Sequence, residues 1–264
     1  MPELPEVETV VRSILPLVGR RIVGAEFRAA RILRGGDPER MAARLAGRRI
    51  GAIRRYGKFI LVSLSGGGYL LLHLGMTGRL LLGGVPGKHT HAIFTLDRGV
   101  LQFDDSRQFG AIELHDDFPA RVARLGPEPL EIAAAEFARR LRRRRTRVKA
   151  LLLDQTFVRG VGNIYADEAL FRAGIHPLAN TARLREDRAL RLHGALAEVL
   201  TEAIAAGGSS VSDYVDADGR QGLFQVSHRV YQRTGQPCVN CGTAIRRLLV
   251  AQRSSHYCPK CQRR

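Results

Sequence analysis

The sequence predicts an α+β protein of more than one domain: a β-sandwich opened by a helix, then a helical module, then a small cysteine-bearing hairpin. Three observations predict it. Short apolar runs broken by glycine and charge fill the first half, helical periodicity takes over after a proline-stiffened stretch at 125–130, and the only four cysteines fall in two close pairs near the C-terminal end. A length of 264 residues with 45% hydrophobic content suits two modest domains with real cores.

The opening segment reads as a helix. Pro5, Glu6 and Glu8 suit a first turn, and Val7, Val10, Val11, Ile14 and Leu15 form one apolar stripe. Strand-like runs follow at Ile50 to Tyr56, Lys58 to Leu64, Tyr69 to Leu74, Ala92 to Leu96, Val100 to Phe103 and Ala111 to Leu114. Leu125-Gly126-Pro127-Glu128-Pro129-Leu130 breaks the pattern and is the expected hinge. Helices are expected over Glu136 to Arg145, Val148 to Asp154, Asn163 to Ala173 and Asp187 to Ala206, the last with Leu192, Leu196, Val199, Leu200 and Ala203 on one face. The expected domains are therefore a sandwich over 1–125, a linker over 126–135, a helical domain with a glycine-rich loop over 136–226, and a finger over 227–264.

The net charge of +17 points to a polyanionic partner, and its location sharpens the point. Residues 139–149 carry eight basic and no acidic side chains, residues 219–264 carry nine and none, and the remainder balances. Each patch is a candidate phosphate track. A membrane partner is not expected, because there is no long apolar run. Residues 1–15 are acidic and proline-punctuated where a secretory leader would be basic and then apolar, so the expected setting is the cytosol.

Cys238-x2-Cys241 and Cys258-x2-Cys261 have the spacing of two knuckles that hold one tetrahedral zinc ion. Four thiolates leave no open position for water, so the expected role is structural. Between the pairs, Arg253 lies near the turn of the expected hairpin, with Arg246 and Arg247 on the strand leading in. Gly160-Val161-Gly162-Asn163 opens a helix whose free N–H groups, with Asn163 as cap, offer a phosphate site.

Pro2 and Glu3 invite a chemical reading. Removal of Met1 would leave a secondary amine, with a pKa near ~8, beside a carboxylate. Such an amine attacking a sugar's anomeric carbon yields an iminium, an electron sink that invites β-elimination. The helix alone explains Pro5, Glu6 and Glu8 but does not ask for Pro2 followed by Glu3. His73-Leu74-Gly75-Met76-Thr77-Gly78 and Asp105-Ser106-Arg107-Gln108-Phe109-Gly110 each place a large side chain on a glycine-flanked turn. Met76 or Phe109 could wedge into a base stack and Arg107 could bond the base left behind, although by spacing alone core packing is the better reading of Met76 and Phe109.

Together these segments resemble the formamidopyrimidine-DNA glycosylase family, bacterial enzymes that excise oxidised purines. Pro-Glu-Leu-Pro-Glu-Val-Glu-Thr, Gly57-Lys58-Phe59, His-Leu-Gly-Met-Thr-Gly, Leu-Gly-Pro-Glu-Pro-Leu, Gly-Val-Gly-Asn-Ile-Tyr-Ala-Asp-Glu and the four-cysteine finger occur in the family's order. The resemblance implies a helix-two-turn-helix module between sandwich and zinc finger, with damaged double-stranded DNA bound across the cleft by a monomer. It implies Pro2 as nucleophile, Glu3 as acid/base and Lys58 as a catalytic-site cation. It implies Asn163 and Arg253 as a clamp on the lesion phosphates, with Arg253 counted among the catalytic groups, and Met76, Arg107 and Phe109 as the gap-filling trio. Arg220 falls in the lesion-covering loop, His91 is expected among the DNA contacts, and Glu6 is expected to be structural. The chain departs from the family at Gln108, where an arginine is usual, and the active form is expected to start at Pro2. The alternatives are a sister enzyme acting on oxidised pyrimidines, which Leu4 disfavours, and a noncatalytic zinc-ribbon DNA-binding protein.

Overall fold

The computed structural model describes residues 1–211 and 214–264, which fall into two compact units: Met1–Arg124 with Ala206–Leu223, and Leu125–Ala205 with Phe224–Arg264. The first unit opens with α1 (Leu4–Ile14), whose first turn is closed by Glu6 bonding back to the Glu3 N–H at 2.8 Å. Its strands are β1 (Ile22–Phe27), β2 (Ile50–Tyr56), β3 (Phe59–Leu64), β4 (Tyr69–His73), β5 (Gly78–Leu82), β6 (Thr90–Leu96), β7 (Val100–Asp105) and β8 (Ala111–His115), with α2 (Pro38–Leu45) and the short α3 (Ala120–Ala123) beside them.

Two antiparallel four-stranded sheets form, in the orders β1-β6-β7-β5 and β2-β3-β4-β8. Apolar residues of both sheets, among them Ile60, Val62, Leu72, Leu80, Phe94 and Phe103, join the α1 stripe of Val7, Val10 and Ile14 in one core. This is the expected sandwich. Two strands and two helices, α2 and α3, go beyond the expectation. β1 is interrupted by a register shift at Gly24, and β5 begins inside the glycine turn that follows His73, so that its short Leu80-Leu81-Leu82 run reads as an extension of that turn; both strands are sheet edges.

The second unit holds α4 (Ala134–Arg142), α5 (Val148–Leu153), α6 (Asn163–Arg172), α7 (Glu186–Ala205) and the hairpin β9 (Arg246–Val250) with β10 (Arg253–Tyr257). The four helices lie where periodicity expects them. Three boundaries differ from the sequence expectation. The stretch after Leu125 is not a free linker: Gly126 N–H donates to the Gln155 carbonyl at 2.8 Å, Arg159 N–H donates to the Pro127 carbonyl at 3.2 Å, and Glu128 pairs with Arg159. The finger clusters with the helices, because Glu168 of α6 accepts the backbone N–H groups of Arg229, Val230 and Tyr231. The loop 206–223 packs with the sandwich unit: the Glu6 carboxylate accepts the Ser209 N–H at 2.7 Å, Leu82 N–H donates to the Ala217 carbonyl at 2.9 Å, and Tyr214 and Ala217 sit in the sandwich core. Among the described residues no helix is long and apolar enough to cross a membrane.

Candidate functional site

In the first unit, Pro2 and Glu3 are both buried at the head of α1, while Met1 before them is 44% exposed. With Met1 in place the Pro2 nitrogen is an amide. Glu6, 1% exposed, fixes this head on three sides: its carboxylate spans Glu3 N–H and Ser209 N–H, and its carbonyl accepts the Tyr214 hydroxyl at 3.2 Å. A Cβ on Gly208 would come within 2.8 Å of the Glu6 carboxylate, so glycine is required there for closeness as well as for its φ of +84°. Burial first, then the Glu6 charge, raises the Tyr214 hydroxyl well above the usual phenol range, so it stays a donor. The structural role expected of Glu6 thus has a definite form: it joins the helix head to the 206–223 loop.

Lys58 is buried in the turn between β2 and β3, next to Phe59, which faces His73 across the β3–β4 ladder with ring centroids 4.9 Å apart. His73 was not singled out from sequence, where it appeared only as the start of a turn motif. Its Nδ1 accepts the Gly75 N–H at 3.1 Å, which leaves Nε2 as the protonated, donating nitrogen of a neutral ring. Burial, with Lys58 and Arg121 adding positive charge, pushes the His73 imidazole down to about 4. The unfolded chain takes up this proton first, near pH 6.5, so His73's contribution to stability is complete above that pH. It is lost as the pH falls from 6.5 towards 4, by up to about 3 kcal/mol. An NMR titration of His73 is expected to show a midpoint near 4; a midpoint of 6 or above would refute this account.

The two glycine-flanked turns of the first unit meet. A Cβ on Gly75 (φ +63°) would lie 2.5 Å from the Phe109 carbonyl carbon and the Gly110 nitrogen, so the backbones touch there. Fully buried Asp105 organises both turns, accepting the Thr77 hydroxyl, the Arg107 N–H at 3.2 Å and the Gly110 N–H at 2.7 Å. Met76 and Phe109 are 39% and 43% exposed, and the Arg107 guanidinium lies 4.6 Å from the Phe109 ring centroid. Large apolar side chains this exposed on touching turns are not core residues, which removes the packing alternative left open by the sequence. Gln108, where the family usually has arginine, takes a left-handed φ of 53°. His91, expected among the DNA contacts, sits beside these turns: it is 7% exposed, and its Nε2 bonds the Asp105 carbonyl at 2.9 Å, bracing the turn.

In the second unit, Gly162 is the N-cap of α6 and Asn163 is its first residue, which corrects the expected Asn cap. The Asn163 Oδ1 is buried and has no hydrogen-bond partner among the described residues. Arg253 is exposed and starts β10 directly after a hairpin turn in which Ala251 (φ 46°) and Gln252 (φ 59°) are both left-handed, as a type I′ turn demands. A buried strut ties the two places together. Lys149 Nζ lies 2.7 Å from Asp167 of α6 and donates to the Ser254 carbonyl at 2.7 Å, while the other Asp167 oxygen accepts the His256 N–H at 2.9 Å. Arg220, in the first unit, is mostly exposed on a turn closed by the Asp216 carboxylate, which accepts the Arg220 N–H at 2.8 Å.

The four cysteine sulfurs lie within 4.8 Å of one another, with Cys238 and Cys261 at 3.9 Å and Cys241 and Cys258 at 3.4 Å. Both separations far exceed a disulfide bond and bracket the edge of about 3.8 Å expected for four sulfurs around one zinc ion. The donor set fits structural zinc: Cys238, Cys241, Cys258 and Cys261 would hold it, and all four positions are filled by thiolates.

Residues 1–112 match the model of the formamidopyrimidine-DNA glycosylase N-terminal domain, residues 125–215 match its H2TH domain, and residues 235–264 match the zinc finger found in FPG and IleRS. A curated formamidopyrimidine-DNA glycosylase of Solibacter usitatus is 71% identical over 264 residues, covering 100% of both chains. The chain belongs to the formamidopyrimidine-DNA glycosylase family. The family's enzyme from Chloroflexus aggregans is 48% identical, over 99% of this chain and 98% of its own. Among solved structures, the MutM (Fpg) protein of Thermus thermophilus matches with a TM-score of 0.89 at 45% identity, over 99% of this chain and 98% of its own. A Lactococcus lactis Fpg variant bound to DNA containing Fapy-dG matches with a TM-score of 0.91 at 36% identity, over 100% of both chains.

Set beside the family's expected residues, the structure brings Pro2, Glu3 and Glu6 together in one place, Met76, Arg107 and Phe109 in another, and ties the Asn163 helix to the Arg253 hairpin within the second unit. His91 faces inward. Asp167 and Ser209, which hold these groups in position, were missed because each acts through contacts distant in sequence, and Asp105 was passed over within its own turn motif, where its bonds to Arg107 and Gly110 are local and only that to Thr77 is not.

Proposed function

We propose that this chain is a bifunctional DNA glycosylase and abasic-site lyase of base excision repair that removes 8-oxoguanine and formamidopyrimidines from duplex DNA. The observation that carries the reading is the burial of Pro2 and Glu3 together at a helix head braced by Glu6, in a chain that matches the family from end to end. Once Met1 is removed, the Pro2 amine attacks the anomeric carbon of the damaged nucleotide and the C–N bond to the base breaks. The base leaves with a proton supplied by Glu3. The resulting iminium acidifies the neighbouring C–H, and successive β- and δ-eliminations expel the 3′ and 5′ phosphates, so no hydrolytic water is consumed in cutting the strand.

Met76, Arg107 and Phe109 would fill the space left by the extruded nucleotide, with Arg107 on the opposite base. Lys58, the neutral His73 donor, Asn163 and Arg253 would hold backbone phosphates. Arg220 would act from the loop that covers the extruded base. Free thiols arranged for zinc, together with a DNA substrate, suit a monomeric enzyme of the bacterial cytosol.

Borohydride trapping on a duplex with 8-oxoguanine opposite cytosine tests this, with mass spectrometry of the mature N-terminus. The expected result is a covalent adduct mapping to Pro2. Correctly processed, zinc-loaded protein that binds this DNA and forms no adduct would refute the assignment.

A further inference from the structure

The His73 ring works in two directions. Its Nδ1 accepts the Gly75 N–H at 3.1 Å and so fixes the turn that carries Met76, while Nε2 is left as a donor. A second proton on the ring would break the first of these bonds, because a protonated Nδ1 cannot accept. Keeping the ring singly protonated and in one orientation therefore serves both the turn and the donor.

The charged groups around the ring come from three elements: Lys58 in the turn between β2 and β3, Glu113 on β8 and Arg121 on α3. Glu113 pairs with Leu71 and Ala111 with His73, so Glu113 stands one diagonal step from His73 on the same face of the sheet. The Arg121 guanidinium lies 4.8 Å from the centroid of the Phe59 ring, and that ring lies against His73. Glu113, 6% exposed, gives one oxygen to Arg121, and its other oxygen meets His115 Nε2 at 2.9 Å. The segment leading into α3 is seated as well, since Phe118 packs edge-on against Tyr56 and Tyr69 with centroids 5.6 and 5.8 Å away, and Val122 is buried. An arginine paired on the surface with one carboxylate is held weakly. Carboxylate, aromatic ring and packed segment together fix this one in place. Lys58 and Arg121 both oppose a second proton on His73, and Glu113 favours one.

We infer that Arg121, held by Glu113, is a positioning residue of the lesion site: acting through Phe59, it sets the His73 ring so that Nδ1 keeps the Met76 turn in place and Nε2 meets a backbone phosphate. The phosphate in this inference rests on the glycosylase reading, whereas the effect of Arg121 on His73 is measured without DNA. The experiment compares wild type with R121Q and with E113Q. The Arg121 side chain is 50% exposed, so its loss leaves the core intact, and thermal unfolding checks that both variants fold.

The His73 titration is followed by NMR in free protein, and binding and single-turnover adduct trapping are measured on the lesion duplex at neutral pH. In R121Q the His73 midpoint is expected to rise above the wild-type value of about 4, and in E113Q to fall below it. A bridge with a merely structural role would be broken alike from either end, and both midpoints would move the same way. R121Q is expected to bind the lesion duplex about three- to fivefold more weakly, with the trapping rate at saturating DNA unchanged. Midpoints that shift together, or an R121Q variant that binds as wild type does, would overturn the inference. Wild-type protein that binds the duplex but yields no adduct, with the two midpoints moving apart, would instead count against the glycosylase reading and leave the hold of Arg121 on His73 standing.

Discussion

Removing zinc is expected to unfold the 235–264 finger and, with it, most DNA affinity. The segment cannot hold itself: its strands are five residues each, and its apolar cluster consists of Ile245, Cys238 and Cys258 with Val230 and Phe171 beyond it. Two of those members are themselves metal ligands. Zinc binding in comparable modules contributes about 10–16 kcal/mol of folding free energy, far more than this cluster can supply. Without it the left-handed turn at Ala251 and Gln252 loses the frame that tolerates two non-glycine residues at positive φ, and Arg253 is released from its place. Hydrogen exchange before and after exhaustive chelation tests this. Amides of β9 and β10 are expected to lose protection while those of the sandwich strands keep theirs; protection retained in β9 and β10 would show that the thiols alone hold the finger.

Asp167→Ala is expected to destabilise the second unit by about 3–5 kcal/mol, the cost of stranding a buried ammonium. Lys149 and Asp167 are 0% and 1% exposed. Their 2.7 Å pairing is completed by hydrogen bonds to the Ser254 carbonyl and from His256. Removing the carboxylate takes the counter-charge from the Lys149 ammonium and frees the His256 backbone, which loosens the hairpin together with the helix. Thermal unfolding measures the loss, and the control is the double variant Lys149→Met with Asp167→Leu. Replacing both charges by apolar groups of similar size is expected to recover most of the stability, because a buried pair is worth little more than good packing. If Asp167→Ala unfolds as wild type does, the strut is incidental.

The fold was legible where local pattern carries it. Alternation and glycine breaks located six of the sandwich strands, periodicity located the helices of the second unit, and cysteine spacing located the finger. What escaped was decided by long-range contact. β1 is broken by its bulge at Gly24, and β5 at the opposite edge starts within a glycine turn that masks its short leucine run. Glu6 reads as a helix-capping acid, and nothing nearby in sequence announces that its second oxygen is reserved for Ser209, 203 positions away. His91 reads as a polar side chain suited to DNA, and only the fold shows that its Nε2 also braces the Asp105 carbonyl. The cysteines, whose grouping is local in sequence, could be found by reading. Those that work by holding others across the chain, such as Asp167 and Ser209, could not.

The path of the backbone also bears on inheritance. The chain leaves the sandwich at Arg124, runs through four helices, returns for Ala206–Leu223 and departs again for the finger. The returning stretch supplies Tyr214 and Ala217 to the sandwich core, a backbone partner for Leu82 and an N–H for the Glu6 carboxylate. A gene fragment ending at the first crossing would encode a sandwich lacking part of its own interior, and one starting there would carry an orphaned insert. Recombination therefore cannot trade these units as beads on a string. Sandwich, helices and finger have to be passed on whole, and an engineer exchanging one of them between relatives must carry the 206–223 stretch with the N-terminal part although it is encoded after the helices.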